Sequence, residues 1–233
     1  MKISLFGITG VPPGKYNIKD PRLDQAHKLA EADKKTYVQV DLIAADQAAD
    51  ADAILVSGES RADLILQDWE FVETRLSRSP GEAEAAVLAK LKGALEKEEF
   101  AFKAGLSAEE KKIATVYNLL TLRPVLAATK EEVEKLDPLL LKLLQESNYI
   151  CFLTVGGKEN RAWLIRKGTS AWEAASVIHS DLQKGFIRAE IIGFDDFIQA
   201  GGETQAKRAG KMRLEQKDYV MQDCDITNFR VNK

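Results

Sequence analysis

Histidine and cysteine are scarce in this chain, two of each among 233 residues. His27 and His179 give little to chemistry that needs a histidine base or several imidazoles on one metal. Cys151 and Cys224 stand far apart, with no C-x-x-C spacing and no histidine-rich neighbourhood. They read as idle buried thiols, and neither a metal site nor a disulfide framework is expected. Long apolar runs are also missing: none reaches the roughly 18 residues that span a bilayer. The opening MKISLFGITG passes from a strand-like segment into glycine and proline, without a small-residue cleavage site. A cytoplasmic location with no membrane partner is the expectation. Nor does one sign of charge dominate. The formal net charge is −3, with +2 over residues 149–233 and −5 over the first 148. That is too even for a basic nucleic-acid arm, so RNA contact would need a local patch, and no DNA sequence specificity is expected.

What is present is ordinary globular material, 45% apolar and 30% charged, enough for one large domain or two small ones. Lys2 to Ile8 reads as a buried strand, and Gly10-Val-Pro-Pro-Gly14 must then be a loop, since two prolines and two glycines extend neither helix nor ladder. Thr36 to Ile43, Ala53 to Ser57 and Pro124 to Ala128 are β-branched, aromatic or continuously apolar, and suggest further strands of a parallel sheet. Between them Ile65, Trp69, Val72 and Leu76 recur at helical spacing. Ser79-Pro80-Gly81 breaks that helix, and Leu88, Leu91, Leu95 and Phe102 mark a second one. The pattern predicts a projecting antiparallel hairpin over 61–104. Ser107-Ala-Glu-Glu110 has capping-box spacing and predicts a helix running through Leu120. Asp137-Pro138 opens another, rich in leucine.

Beyond Asn148 the texture changes. Short β-like segments at Tyr149–Val155, Arg161–Arg166, Arg188–Ile192, Asp218–Gln222 and Ile226–Val231 surround one helix near Ser170–Asp181, with a tight turn at Gly156-Gly157. A ββα start with a β-rich finish suits a β-grasp fold.

The C-terminal text carries Ile178-His-Ser-Asp181, Lys184-Gly-Phe-Ile-Arg188-Ala-Glu190, Ala206, Gly210-Lys-Met-Arg213 and Lys217-Asp-Tyr219. In these residues, 149–233 resembles the terminal TGS-like domain of the YchF family of Obg-related P-loop NTPases. Asp20-Pro-Arg-Leu-Asp24, Leu106-Ser-Ala-Glu-Glu110 and Leu120-Thr-Leu-Arg-Pro124 are weaker echoes upstream. The resemblance implies an α/β chain of three parts. Residues 1–60 and 105–148 would be a truncated P-loop NTPase-like parallel sheet, 61–104 a helical-hairpin insertion, and 149–233 a ubiquitin-like β-grasp domain.

The nucleotide motifs of such a family are altered. A phosphate loop needs G-x-x-x-x-G-K-[ST] so that successive amides wrap the phosphates and a hydroxyl binds magnesium. Gly10-Val-Pro-Pro-Gly14-Lys15-Tyr16 has three intervening residues, two of them prolines without an amide donor, and then a tyrosine. The aspartate–x–x–glycine switch falls at Asp41-Leu-Ile-Ala44, and no asparagine follows Ala128 to read a base.

Gly10, Gly14, Lys15 and Asp41 are therefore a vestigial nucleotide site or, more blandly, a stiffened turn and a strand-end carboxylate. Catalytic residues and metal ligands are not expected, and no cofactor is required. Weak ATP or GTP binding with magnesium is the alternative, with hydrolysis slow or partner-dependent. His179 and Asp181, two apart on a helix and facing different directions, read as structural or capping residues rather than an acid–base pair. Lys207, Arg208 and Lys211 share roughly 100° of helical arc, and Lys184 and Arg188 flank the Gly185-Phe186 turn, which makes these five the nucleic-acid candidates. Trp163, Trp172, Phe186 and Phe194 read as core rather than stacking platforms. The leading expectation is an RNA-, ribosome- or protein-binding module without catalysis, and a third reading makes the hairpin a docking or dimerisation arm.

Overall fold

The computed structural model describes residues 1–232. In chain order its strands are β1 (Lys2–Phe6), β2 (Gly14–Ile18), β3 (Lys34–Thr36), β4 (Val38–Ala44), β5 (Ala53–Ser57), β6 (Val125–Ala128), β7 (Tyr149–Thr154), β8 (Glu159–Arg166), β9 (Phe186–Ile192), β10 (Arg213–Glu215) and β11 (Ile226–Val231). The helices are α1 (Pro21–Leu29), α2 (Arg61–Leu76), α3 (Glu82–Leu95), α4 (Ala108–Thr115), α5 (Lys130–Val133), α6 (Leu136–Glu146), α7 (Ala171–Ile178), α8 (Ser180–Lys184), α9 (Phe194–Ala200) and α10 (Glu203–Arg208). They form two units, Met1–Tyr16 with Val40–Leu143, and Asn17–Gln39 with Leu144–Lys233.

The first unit rests on a sheet of order β2-β4-β1-β5-β6, in which β4, β1, β5 and β6 run parallel. Ala53, Ile54, Leu55 and Val56 of β5 are all completely buried, as a strand covered on both faces must be. Leu64, Ile65 and Val72 of α2 and Val87, Leu88, Leu91 and Leu95 of α3 share one cluster with Ile54, Val56 and Val125. The hairpin is thus packed on the sheet and does not project; its apolar stripe has the strands as partner. The Ser107 capping box forms, with the Glu110 amide donating to Ser107 Oγ at 3.3 Å and the Ser107 amide to the Glu110 carboxylate at 2.8 Å. The helix it opens ends at Thr115, short of Leu120, and Leu120–Leu122 is a separate 3-10 turn. Its amides are drawn off by the buried carboxylate of Asp68.

In the second unit β7 and β8 make an antiparallel hairpin, α7 follows, and β11 returns parallel to β7. The order β10-β9-β11-β7-β8-β3 contains the β-grasp arrangement with one strand added at the edge. Ala171, Ala174 and Ala175 of α7 pack against Phe152, Ile165, Ala189, Ile191 and Phe229. Three expectations are corrected. Asp218–Gln222 is not a strand: Asp225 takes the Gln222 amide and the Tyr219 hydroxyl, bending the segment into a turn, and only a single bridge joins Ser170 to Val220. Residues 36–43 are not one strand either, because β3 and β4 part at Tyr37 into different sheets. Finally, 17–39 fold with the C-terminal residues rather than with the N-terminal half. β3 pairs with β8, and the fully buried Asn160 amide bonds Ala30 O and the His27 ring at 2.8 Å.

Candidate functional site

β1 and β5 are neighbours, yet the chain leaves β1 toward β2 on one side of the sheet and β5 toward β6 on the other. Loops diverging from adjacent carboxyl ends leave a crevice, the usual ligand position in a parallel sheet. A cleft of about 750 Å³ opens there, lined by residues 7–11, 57–59 and most of 128–134. Gly7 starts it with φ +67°, and a Cβ on Gly7 would lie 2.1 Å from Ser60 Oγ and 2.8 Å from Ser57 Oγ. Only glycine allows this approach. No motif spacing in the sequence singles out Gly7, since the glycine–lysine pattern points to Gly10 and Gly14 instead.

Gly10 lines the cleft; Gly14 and Lys15 do not. They open β2, so the chain passes from β1 through residues 7–13 straight into another strand, with no helix between. A phosphate loop works by aiming a helix N-terminus and its free amides at the ligand. This loop ends in Pro12 and Pro13, which carry no amide proton. Asp41 pairs with Lys2, at the opposite end of β1 from the cleft. The carboxyl end of β4 carries Ile43 and Ala44 instead, about 10 Å further along the strand.

The charge of the lining is unfavourable to polyphosphate. Glu59, Glu131 and Glu134 face one lysine, Lys130, which is itself bound to Glu59 at 2.9 Å. A hydrogen bond from its own amide and another from Thr129 hold the Glu131 carboxyl below the usual range. Thr129 directly follows β6. It caps α5, accepting from the Glu132 amide at 3.3 Å while its own amide donates to Glu132 at 2.8 Å.

In the second unit the basic candidates are exposed, but most are paired: Lys184 with Asp181 at 3.5 Å, Lys207 with Glu203 at 2.6 Å, Lys211 with Asp196 at 3.0 Å. α10 ends at Arg208, so Lys211 does not continue its face. Arg188 and Arg208 have no carboxylate partner among the described residues. Arg230, unanticipated, stands directly across from Arg188 in the β9–β11 register. Its Nε donates to Glu190 at 2.9 Å, and Asn228 donates to the same carboxylate at 2.8 Å. Only sheet register brings these residues together, and no sequence spacing signals it. His179 caps α8, accepting from the Asp181 amide at 3.2 Å. Phe186 is buried and Trp163 stacks on Phe152, whereas Trp172 is 40% exposed. Cys151 and Cys224, far apart in sequence, are both buried free thiols with their sulfurs 3.6 Å apart.

Burial raises the Glu190 carboxyl, but the Asn228 and Arg230 hydrogen bonds and the charges of Lys207 and Arg230 outweigh it, leaving it below the usual range. A depressed carboxyl contributes stability that is complete above the unfolded value, about 4.3, and disappears as pH falls through the folded value. Wild-type Tm should therefore drop more steeply between about pH 5 and 3 than that of Glu190→Gln, as thermal melts across that range would register. Parallel Tm curves would refute this.

Comparison with known proteins places these features in context. The family model YchF-GTPase_C, described as a protein of unknown function (DUF933), matches residues 149–232. The Haemophilus influenzae protein named ribosome-binding ATPase YchF is 44% identical over 128 residues, covering 47% of this chain and 35% of its own length. The Bacillus subtilis protein of the same name is 33% identical over 235 residues, covering 73% of this chain and 64% of its own. The chain thus spans less than two thirds of either relative. Among solved structures, the Schizosaccharomyces pombe YchF GTPase superposes with a TM-score of 0.77 over 99% of this chain and 97% of its own, at 19% identity, which bears on fold alone.

Proposed function

Taking as premise that the chain belongs to the YchF family, we propose that it is a cytoplasmic ribosome-binding module that works without nucleotide. The observation that carries this reading is the course of residues 7–13, which run from β1 into β2 with no helix N-terminus and leave Lys15 on a strand. The acidic lining of the cleft supports it, since a polyphosphate would meet three carboxylates and one already paired ammonium. That the Haemophilus influenzae and Bacillus subtilis relatives are ribosome-binding ATPases by name supports the ribosome as partner. The contact is assigned to the β-grasp unit, around Arg188 and Arg208, with Lys184, Lys207 and Lys211 able to exchange exposed carboxylates for phosphates at small cost. A docking role for α2 and α3 is not favoured, because their apolar stripe is spent on the sheet.

The test is titration of the purified chain with fluorescent ATP and GTP analogues, with and without magnesium. No saturable binding is expected up to about 1 mM, and Lys15→Ala should change nothing. Magnesium-dependent binding that Lys15→Ala abolishes would overturn the proposal and restore a weak NTPase.

A further inference from the structure

Cys151 and Cys224 are the only cysteines of the chain, and both are buried. The Cys224 amide donates to Cys151 O at 2.7 Å. The Cys151 amide in turn donates to Asp223 Oδ1 at 3.0 Å, so the residue next to Cys224 is also held against the Cys151 backbone. The sulfurs, at 3.6 Å, need to close by about 1.6 Å to reach bonding distance. Cys224 has φ +61°, a left-handed conformation that glycine adopts at less cost.

Asp20 brings a carboxylate oxygen within 4.8 Å of both sulfurs, a grouping that could suggest a cation site. Arg22 argues against it. Its amide and Nε donate to Asp20 Oδ1 at 2.9 and 3.0 Å, its Nη2 to Oδ2 at 2.7 Å, and its Nη1 to Asp223 at 2.5 Å. The guanidinium fills the carboxylate lone pairs and adds a positive charge, so a metal would find two sulfurs and a competing cation.

We propose that Cys151 and Cys224 are a closable dithiol, which a two-electron oxidant of the peroxide class converts to an intramolecular disulfide pinning β7 to the segment that leads into β11. Cys151 is the less buried, 6% exposed against 1% for Cys224, and acts first. Its deprotonated sulfur attacks one peroxide oxygen, the O–O bond breaks, and the other oxygen leaves as water, giving a sulfenic acid. The Cys224 sulfur then attacks the sulfenic sulfur, the S–O bond breaks, and the hydroxyl leaves with the Cys224 proton as a second water. Two thiols and one peroxide become one disulfide and two waters. The hydrogen bond to Cys151, and burial, push the Cys224 thiol up, so closure waits on local opening of the site.

With two cysteines in the chain, the readout is clean. After hydrogen peroxide treatment and denaturation without reductant, the intact mass should be lower by two hydrogens, and free thiols should fall from two per chain to none. A dithiol reductant should restore both. Cys224→Gly, which suits the positive φ, should fold and show only oxygen addition at Cys151. The proposal is overturned if the wild type gains oxygen without cross-linking or pairs only between chains. It is also overturned if folded protein keeps both thiols under conditions that oxidise the unfolded chain, or if stoichiometric zinc binding protects both thiols.

Discussion

Asp68→Ala should destabilise the first unit by about 3–5 kcal/mol. Asp68 is 4% exposed on the inner side of α2. Its carboxylate accepts from the Leu120 amide at 3.0 Å, the Thr121 amide at 2.6 Å and the Thr121 hydroxyl at 2.6 Å. Burial pushes the carboxyl up, opposed by those hydrogen bonds and by the charge of Arg123. Truncation would strand two amides and a hydroxyl, with Thr121 completely buried, and a buried donor without an acceptor costs more than the bond it lost was worth. The consequence reaches the cleft. Residues 120–122 lead to Arg123, which holds Ala51 O at 2.8 Å and Ala49 O at 2.6 Å, just ahead of β5, and then to β6, the third wall of the cleft. Urea unfolding should rank wild type above Asp68→Asn, which keeps one acceptor oxygen, and Asp68→Asn above Asp68→Ala. Hydrogen exchange should show the loss concentrated in α2 and β6. A loss under about 1 kcal/mol would mean that water replaces the carboxylate and that this contact does not fix the turn.

That contact also marks where sequence reasoning reached its limit. Features set by neighbours along the chain were legible: the Ser107 box from its spacing, the Gly156-Gly157 turn from two residues that both take positive φ, and the buried β5 from its unbroken apolar run. Features set by distant polar partners were not. Asp68 and Thr121, Asn160 and His27, Cys151 and Cys224, Arg188 and Arg230 each meet only after the chain folds. Apolar periodicity says nothing about them, because it records which face is dry and not which polar groups share it. Lys15 is the instructive case. Read after Gly14 it resembles the end of a phosphate loop, yet Lys15, Tyr16, Asn17 and Ile18 alternate outward and inward in the period of a strand, and a strand is what forms. Neither a phosphate loop nor a stiffened turn describes Lys15, because the alternation that begins there carries the chain into β2.

If the proposed ribosome contact lies on the β-grasp unit, the combined change Arg188→Gln, Lys207→Gln and Arg208→Gln should flatten its salt dependence. Arg188 faces Arg230 across β9 and β11, and Lys207 interacts with both Glu190 and Arg230, so Arg188, Arg230 and Lys207 belong to one neighbourhood, with Arg208 next along α10. Arg230 is committed to Glu190 and is left intact, since removing it would leave a carboxylate that is 7% exposed without its ion partner. Arg188, Lys207 and Arg208 lie on the exposed side, where neutralisation should cost stability little. If each meets one phosphate, counterion release gives a slope of about 0.7 to 0.9 per contact in log affinity against log salt. Affinity should then fall roughly 20- to 40-fold between 50 and 200 mM salt from these contacts alone. The triple variant should lose about two to three from the slope and keep its melting temperature. Sedimentation with purified ribosomes across a salt series measures both affinity and slope. An unchanged slope would exclude these side chains as phosphate contacts and shift the search to exposed apolar residues of the same unit such as Trp172, Ile187, Leu214 and Val220, whose binding a kosmotropic salt such as sulfate would strengthen rather than weaken.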